Sequence, residues 1–491
     1  MAIDFSIYQP PGVYTESIPG PQIAVRSSLP TAVGLFGTSI GYRAYTESVL
    51  VVPDNSEDVP QNNAPLTQRG IKKSTIVVSN PNSGTVYTED ADYTVVRITA
   101  GSDLVADTRD DLYTIKRVVD GNINPADIVQ VQYQYTDAGY FDVYIFYDYD
   151  DVRDMYGPPF NTTKAAVNGV APGGILSEIT LAAKFSFMNG AYQVVCVAVD
   201  PENPSSPQPG DYAAALEKLQ NEDMVSIVVP ATGKVEVHEF VKEHVTAQSN
   251  NKYERTALLG TDGSVTSVST SQRQTYAANL TNKRLALVSP STFTYFSPEL
   301  NKEVTLGGQF VAASLAGTAV SMNSAMPLTR KTLMGWRDVV VPKTESSEAA
   351  KNLETRQGLL VVEKTRRQQI QVRHGVTTDP TDLLSREWSI IRQQDAMVFR
   401  IRDYLENDNL IGQPIYDTTL INVKASAESA LQSLKRDAVI RDYKDLKVRQ
   451  LETLPDVIEV RYAWLPAYPL NYIVVRYAVT LPSGDMTLVS T

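Results

Sequence analysis

The residues that could do chemistry are few and far apart. Two glycine loops follow apolar runs, GLFGTSIG at 34–41 and GTDGSV at 260–265. Neither carries the Lys-[Ser/Thr] pair that lets a phosphate loop reach a nucleotide's phosphates and its metal, so both read as ordinary turns. The three histidines, His238, His244 and His374, are scattered. The first two stand six apart on one predicted helix, not at the i, i+4 spacing that lets two imidazoles share a metal. The stretch YDYDDVRD (147–154) gathers Asp148, Asp150, Asp151 and Asp154, but Arg153 stands where a calcium loop needs glycine, and a surface turn is expected. Cys196 lies in an apolar run with no basic activator nearby and reads as core filler. No catalytic constellation results, so no enzyme activity, cofactor or resident metal is expected.

The bulk numbers read as those of an ordinary folded protein. The chain has 491 residues, 43% hydrophobic and 20% charged, which suits a globular protein of two to four domains. One cysteine permits no internal disulfide, as befits a reducing compartment. The start, MAIDFSIYQPPG, lacks the basic and apolar regions of a signal peptide. No apolar run approaches the ~20 residues that span a bilayer, so a soluble protein without membrane insertion is expected. The net charge of −12 is segregated. Residues 42–160 hold 9 Lys/Arg against 19 Asp/Glu, a balance of −10, whereas 351–449 hold 17 against 14, a balance of +3. The acidic part lacks the basic footprint of nucleic-acid binding. The basic part reads equally as a contact face for an acidic partner or as a mixed solvated surface.

The elements along the chain change character several times. Gly12, Val13, Tyr14, Thr15, Glu16, Ser17 and Ile18 form a strand-prone run fenced by Pro10-Pro11 and by Pro19 and Pro21. It spans roughly 23 Å and has no hairpin partner nearby. PTAVGLFGTSIGY (30–42) reads as a buried strand, and 43–70 as a polar surface connection. Short alternating strands are expected from 72 to 150, closing near MYGPPF (155–160). Apolar strands at 192–199, 224–230, 254–260 and 284–290 then alternate with helices at 211–220, 235–248 and 271–282, with a further helix at 307–320. That alternation implies a parallel sheet with right-handed crossovers. Two amphipathic helices, 385–408 and 420–439, precede two alternating strands, VIEVRYAW (457–464) and NYIVVRYAVTL (471–481). The predicted fold class is α+β and multidomain: a parallel-sheet α/β domain, an all-β insertion domain, and a C-terminal α+β domain with extended terminal arms. The expected divisions are an arm at 1–29, a first α/β strand at 30–41, an insertion at 42–158, the α/β domain at 159–345, and the C-terminal domain with its arm at 346–491.

Several of these stretches, in this order, resemble the contractile tail sheath proteins of bacteriophages. PPGVYTESIPGPQI and PTAVGLFGTSIGY are similar to that family's start, and FSFMNGAYQVVCVAV (185–199) to its entry into the α/β domain. YAAALEKLQNEDMVSIVVPA (212–231), KNLETRQGLLVVEKTRRQQIQVRHGVTT (351–378), the paired helices and the closing strands extend the likeness to about four-fifths of the chain. Ala191 departs from the family's usual glycine, and Arg373-His374-Gly375 from its Trp-Gly. The resemblance implies a subunit of hexameric rings, stacked helically around a tail tube and contracting to drive the tube through the host envelope. Its partners would be its own copies, the tube protein, and baseplate and tail terminator proteins. Its place would be the virion tail, assembled in the host cytoplasm, with 42–158 outermost and 346–491 innermost.

In such proteins the terminal arms pair with neighbours by β-augmentation. Carried over, Gly12–Ile18 would be one donated strand. Tyr472–Leu481, with Tyr472, Val474, Val475 and Tyr477, would be the other. VIEVRYAW, with Val457, Glu459 and Arg461, would accept them. Lys435 and Arg436, closing the second helix, would face the tube or simply complement the helix dipole. The alternatives are a tube or baseplate protein, the sheath of a phage-tail-like injection particle, an α/β enzyme, and a sheet closed within one monomer.

Overall fold

The computed structural model describes residues 31–488 apart from 42, 52–64, 69, 72, 99–111, 137–138, 168, 202–205, 263–268, 343–344, 409, 477 and 481–485. The proline-fenced run Gly12–Ile18 and Tyr477 lie outside the described residues.

The first strand, β1 (Ala32–Gly37), is buried at every position, as a strand covered on both faces must be. The chain then departs on an excursion through β2 (Arg43–Leu50), β3 (Val77–Ser79), β4 (Tyr93–Ile98), β5 (Leu112–Arg117) and β6 (Ile128–Tyr135). β2, β6 and β3 form an antiparallel sheet, β4 and β5 a ribbon. They enclose their own core of Val49, Val78, Tyr93, Tyr113, Ile115, Val131 and Tyr133. The expectation of a surface connection from residue 43 is corrected, since β2 pairs with β6 along its whole length, from Arg43↔Tyr135 to Leu50↔Ile128. Glu47 concealed the alternation. Its carboxylate accepts from the Tyr133 hydroxyl at 2.5 Å and the Thr67 amide at 3.0 Å, so a charged residue occupies a strand position beside the core.

The excursion ends earlier than residue 158. β7 (Tyr144–Phe146) pairs antiparallel with a strand of the main sheet, β8 (Val194–Ala198). The aspartate-rich stretch is a helix, α1 (Tyr149–Tyr156), capped by Asp148 accepting from the Asp150 amide at 2.6 Å. A carboxylate at that position satisfies an orphan donor of the first turn, which accounts for Asp148. At the neck, the Thr136 hydroxyl donates to Gly41 O (2.9 Å), and Tyr140 Oη donates to Ser39 Oγ (2.9 Å) while accepting from the Gly41 amide (3.2 Å).

The main body continues with α2 (Glu178–Met188), then β8, α3 (Pro209–Lys218), β9 (Val225–Pro230), α4 (Val235–Asn250), β10 (Thr256–Gly260), α5 (Thr270–Asn279) and β11 (Leu285–Ser289). A hairpin of β12 (Thr292–Ser297) and β13 (Lys302–Gly307), absent from the sequence reading, leads into α6 (Gly308–Val320) and β14 (Trp336–Val339). α7 (Glu348–Arg356), β15 (Leu359–Lys364) and β16 (Ile370–Val372) follow. The eight-stranded sheet runs β16-β15-β11-β10-β9-β1-β8-β7, parallel from β8 to β15 and antiparallel at both edges. Residues 359–372 thus belong to this sheet, which extends beyond the expected boundary at 345.

Helices cover both faces. On one side Tyr212, Leu216, Val241, Val245 and Leu280 of α3, α4 and the end of α5 pack on Phe36, Val197, Val228 and Leu287. On the other, α2 and α6 pack on Val33, Leu35, Cys196, Val229 and Leu258. α6 is apolar on every side because it is enclosed on every side. Gly317 lets it lie against α2, since a Cβ there would stand 2.1 Å from Ser186 O. Phe185 stacks on Trp336 at 4.4 Å and meets Tyr295 edge-on at 5.0 Å, joining the small β13-β12-β14 sheet to the body.

The last part holds α8 (Leu383–Arg386), α9 (Trp388–Asn407), α10 (Asp417–Arg436), β17 (Ile440–Gln450), β18 (Ile458–Pro466), β19 (Ala478–Thr480) and β20 (Met486–Leu488). Ala396, Met397 and Ile401 of α9 meet Ala430, Leu431 and Leu434 of α10 in a separate core, with Tyr443, Tyr462 and Trp464 of the β17–β18 ribbon against it. Of the expected strand 471–481, residues 471–476 join no ladder among the described residues, and Ala478–Thr480 pairs with Met486–Leu488.

Candidate inter-subunit strand-pairing surface

The ribbon is built by residues whose sequence hides it. β17 reads IRDYKDLKVRQ, and its pairing with β18 shifts register between Lys444 and Lys447, with Asp445 at φ 55°. A bulge of this kind breaks the two-residue period that announces a strand, so β17 went unforeseen. Of the expected acceptor residues, Glu459 pairs with Arg449 and Arg461 with Lys447. The Glu459 carboxylate accepts from Arg449 Nε (2.7 Å) and Arg461 Nε (2.9 Å), and the Arg449 bond first of all holds it below the usual glutamate range. Val457 stands one residue before β18, its amide donating to Leu454 O at 2.9 Å and its carbonyl accepting from Leu451. Among the described residues no third strand joins this ribbon, so both outer edges retain unpaired backbone groups.

Next to it the chain runs out into water. Leu470, Tyr472, Ile473, Val474 and Val475 are 76–78% exposed. Fully burying one such side chain stabilises by about 1.5–3 kcal/mol, so a consecutive exposed run of them is a surface awaiting cover. The root of the segment, in contrast, is fastened. The Gln393 side chain of α9 bonds both backbone groups of Ala467, accepting from its amide at 2.8 Å and donating to its carbonyl at 3.1 Å. Asn471 Nδ2 donates to Glu387 Oε1 at 3.1 Å, and the same oxygen lies 2.8 Å from His374 Nε2. No local sequence signal pairs residues 74 and 84 apart, and the sequence reading missed both contacts.

Lys435 and Arg436 occupy the last turn of α10, 52% and 75% exposed at their side chains. Each already has an acidic neighbour: Lys435 Nζ lies 2.9 Å from Asp442 Oδ1 and Arg436 Nε 3.3 Å from Asp437 Oδ1. Asp442 is held below the usual range chiefly by Lys435.

The features first weighed for catalysis are absorbed by packing. After GLFG, the Thr38 hydroxyl donates to Glu178 Oε2 at 2.7 Å and Tyr212 Oη donates to the same oxygen at 3.2 Å. The chain's own carboxylate thus fills the end of the sheet where α/β proteins bind anions, and burial raises its pKa. His238 is buried, His244 lies 3.0 Å from Arg255, and burial lowers both to about 4. Burial likewise pushes up the Cys196 thiol. Among the described residues no three His, Cys, Asp or Glu side chains gather as a metal site, and no helix is long and apolar enough to cross a membrane.

The fold, an enclosed α/β body carrying a two-stranded ribbon and an exposed tail, is shared with solved structures of contractile sheaths. It is similar over 96% of the chain to the helical sheath of the anti-feeding prophage in its contracted state, with a TM-score of 0.54, 12% identity and 99% of that chain covered. The contracted sheath of the extracellular contractile injection system PVC gives 0.52 and 14% over 96% of this chain and 98% of that one. No family model matches the sequence. The tail sheath protein of Mycobacterium phage Bxz1 is 46% identical over 585 aligned residues, covering 99% of this chain and 98% of the relative. The chain belongs to the tail sheath proteins and is a contractile tail sheath subunit.

Proposed function

We propose that this subunit polymerises as helically stacked hexameric rings around the tail tube, and that its neighbours are held by strand exchange while the bodies slide and rotate. Gly12–Ile18 and Tyr472–Leu481 are the donated strands, and the β17–β18 ribbon, with Glu459 and Arg461, is the acceptor. The observation that carries this is the uncovered run Tyr472–Val475 beside a ribbon with two open edges. Main-chain bonds would give the affinity and alternate side chains the register. Through such links contraction would drive the tube through the host envelope without the lattice dissociating. The tube protein, the baseplate and a tail terminator are the other partners, and assembly takes place in the host cytoplasm before the sheath becomes part of the virion tail. The acidic excursion faces outward, and Lys435 and Arg436 contribute solvent-screened attraction to the tube.

Deleting residues 1–20 tests the exchange. The expected product is a soluble, cooperatively melting monomer that forms no cylinders in negative-stain images. Cylinders of normal length from the truncated chain would overturn the reading.

A further inference from the structure

The root of the C-terminal segment is built differently from both the ribbon before it and the run after it. β18 ends at Pro466, whose ladder partner is Ile440, the first residue of β17. β17 is continuous with α10 through Asp437–Val439. A pull on the chain beyond Pro466 therefore opens the ribbon from one end, breaking its rungs in succession rather than together. The eleven-residue β17 is further weakened by two register shifts.

Two contacts intercept that pull. The Gln393 amide holds Ala467 through both backbone groups, as a strand rung would. Four residues on, Asn471 is held by Glu387, which is fully buried and also engages His374. Both holding residues lie at the start of α9, and α9 is fixed to the body along its length. Arg392 Nη1 donates to Ala319 O at the end of α6 (2.8 Å), Asp395 pairs with Arg284 before β11 (2.7 Å), and Arg402 Nη1 reaches Glu254 Oε2 before β10 (3.1 Å). Beyond Asn471 the residues from Tyr472 to Arg476 are exposed and make no ladder.

We infer that Gln393, Glu387 and Asn471 form a clamp that passes tension on the C-terminal segment into α9 and the α/β body, so that β18 is not unzipped from β17. The chain pivots at Tyr472, not at Pro466. That this tension arises from a neighbour holding residues 472–481 rests on the function proposed above; the clamp itself does not.

The test uses the full-length monomer. Hydrogen exchange should show the Ala467 amide protected and residues 472–476 unprotected. Gln393→Ala with Asn471→Ala should cut the Ala467 protection at least about tenfold and leave the melting of the body in place. In single-molecule pulling from the C-terminus, the ribbon should open at lower force in this variant than in the native chain. If the double variant folds poorly, Asn471→Ala alone, at a partly exposed position, should still lower the opening force. Unchanged protection at Ala467, or an unchanged opening force in a folded variant, overturns the inference. If the clamp behaves as stated but cylinders form without residues 472–481, the strand-exchange reading fails and the clamp stands.

Discussion

The α/β body and the C-terminal ribbon are opposite solutions to the same problem of pairing strands. In the eight-stranded sheet of the body the six inner strands each have a neighbour on both sides, both faces lie under helices, and short antiparallel strands flank the parallel core. In the ribbon two strands pair only with each other among the described residues, about half their side chains are in water, and an exposed apolar run leaves it. The first arrangement holds a chain in one shape regardless of its surroundings. Under the proposed strand exchange, the second would be completed by strands from other chains. If the proposed exchange holds, stability lies in one region and assembly in the other, and substitutions should separate the two.

The largest effect on stability should come from the body. Phe185→Ala removes a ring stacked on Trp336 and enclosed by Tyr295 and Phe310, and should cost about 3–5 kcal/mol in chemical denaturation. Val475→Pro, on the exposed run, should leave the denaturation midpoint unchanged and abolish cylinders, because proline supplies no ladder donor. A comparable loss of stability from both would erase the distinction between body and ribbon.

The excursion offers a graded version. Replacing residues 43–135 with a short Gly/Ser connection should leave the body's melting temperature nearly unchanged and give thinner cylinders. Replacing 42–158 also removes β7 and α1, and with them Phe146, Val152 and Tyr156 from the main core. The longer replacement should melt well below the shorter one by calorimetry. Equal melting of the two would show that β7 and α1 contribute nothing to the body.

A smaller effect tests the junction. Asp395 pairs with Arg284, yet burial pushes its carboxyl up to about 6, against about 3.9 for an ordinary aspartate. The folded state then binds a proton that the unfolded state has released between those values. This group's contribution is therefore fully present below about pH 4 and lost as pH rises through about 6. The stability of the native chain relative to Asp395→Asn should decline across that interval and level off above it. A difference that grows with pH would reverse the assignment.

The smallest change is expected at Lys435 and Arg436. Reversing both to Glu should hardly alter melting, since both side chains are mostly in water. Co-assembly with the tube should fall at low salt, and tube-free cylinders should persist. Unaltered tube binding at low salt would leave these residues as partners of Asp442 and Asp437 alone.

The legibility of the sequence followed the same division. The runs VVCVA, VSIVVP, TALLG and LALVS could only be doubly covered strands, and the helices between them followed from their period. Where a charged residue entered a strand beside a core, as at Glu47, or a bulge broke the alternation, as at Asp445, the pattern failed. The alternation of NYIVVRYAVTL is real, but it marks a segment whose first half joins no strand among the described residues. The clamp residues could not be foreseen, because Gln393 and Glu387 meet residues 74 and 84 positions away only after folding.

The neck of the excursion has a practical consequence. The departing and returning chains meet where Gly41 and Ser39 are bonded to Thr136 and Tyr140, so whatever is spliced between them is held by two closely spaced ends. A foreign domain with adjacent termini satisfies that geometry at little loop-closure cost. In a helical polymer each copy would recur at the lattice spacing and in one orientation. If the excursion faces outward as proposed, the molecule would offer a periodic display scaffold in which cargo is exchanged at one site while the body keeps its strands.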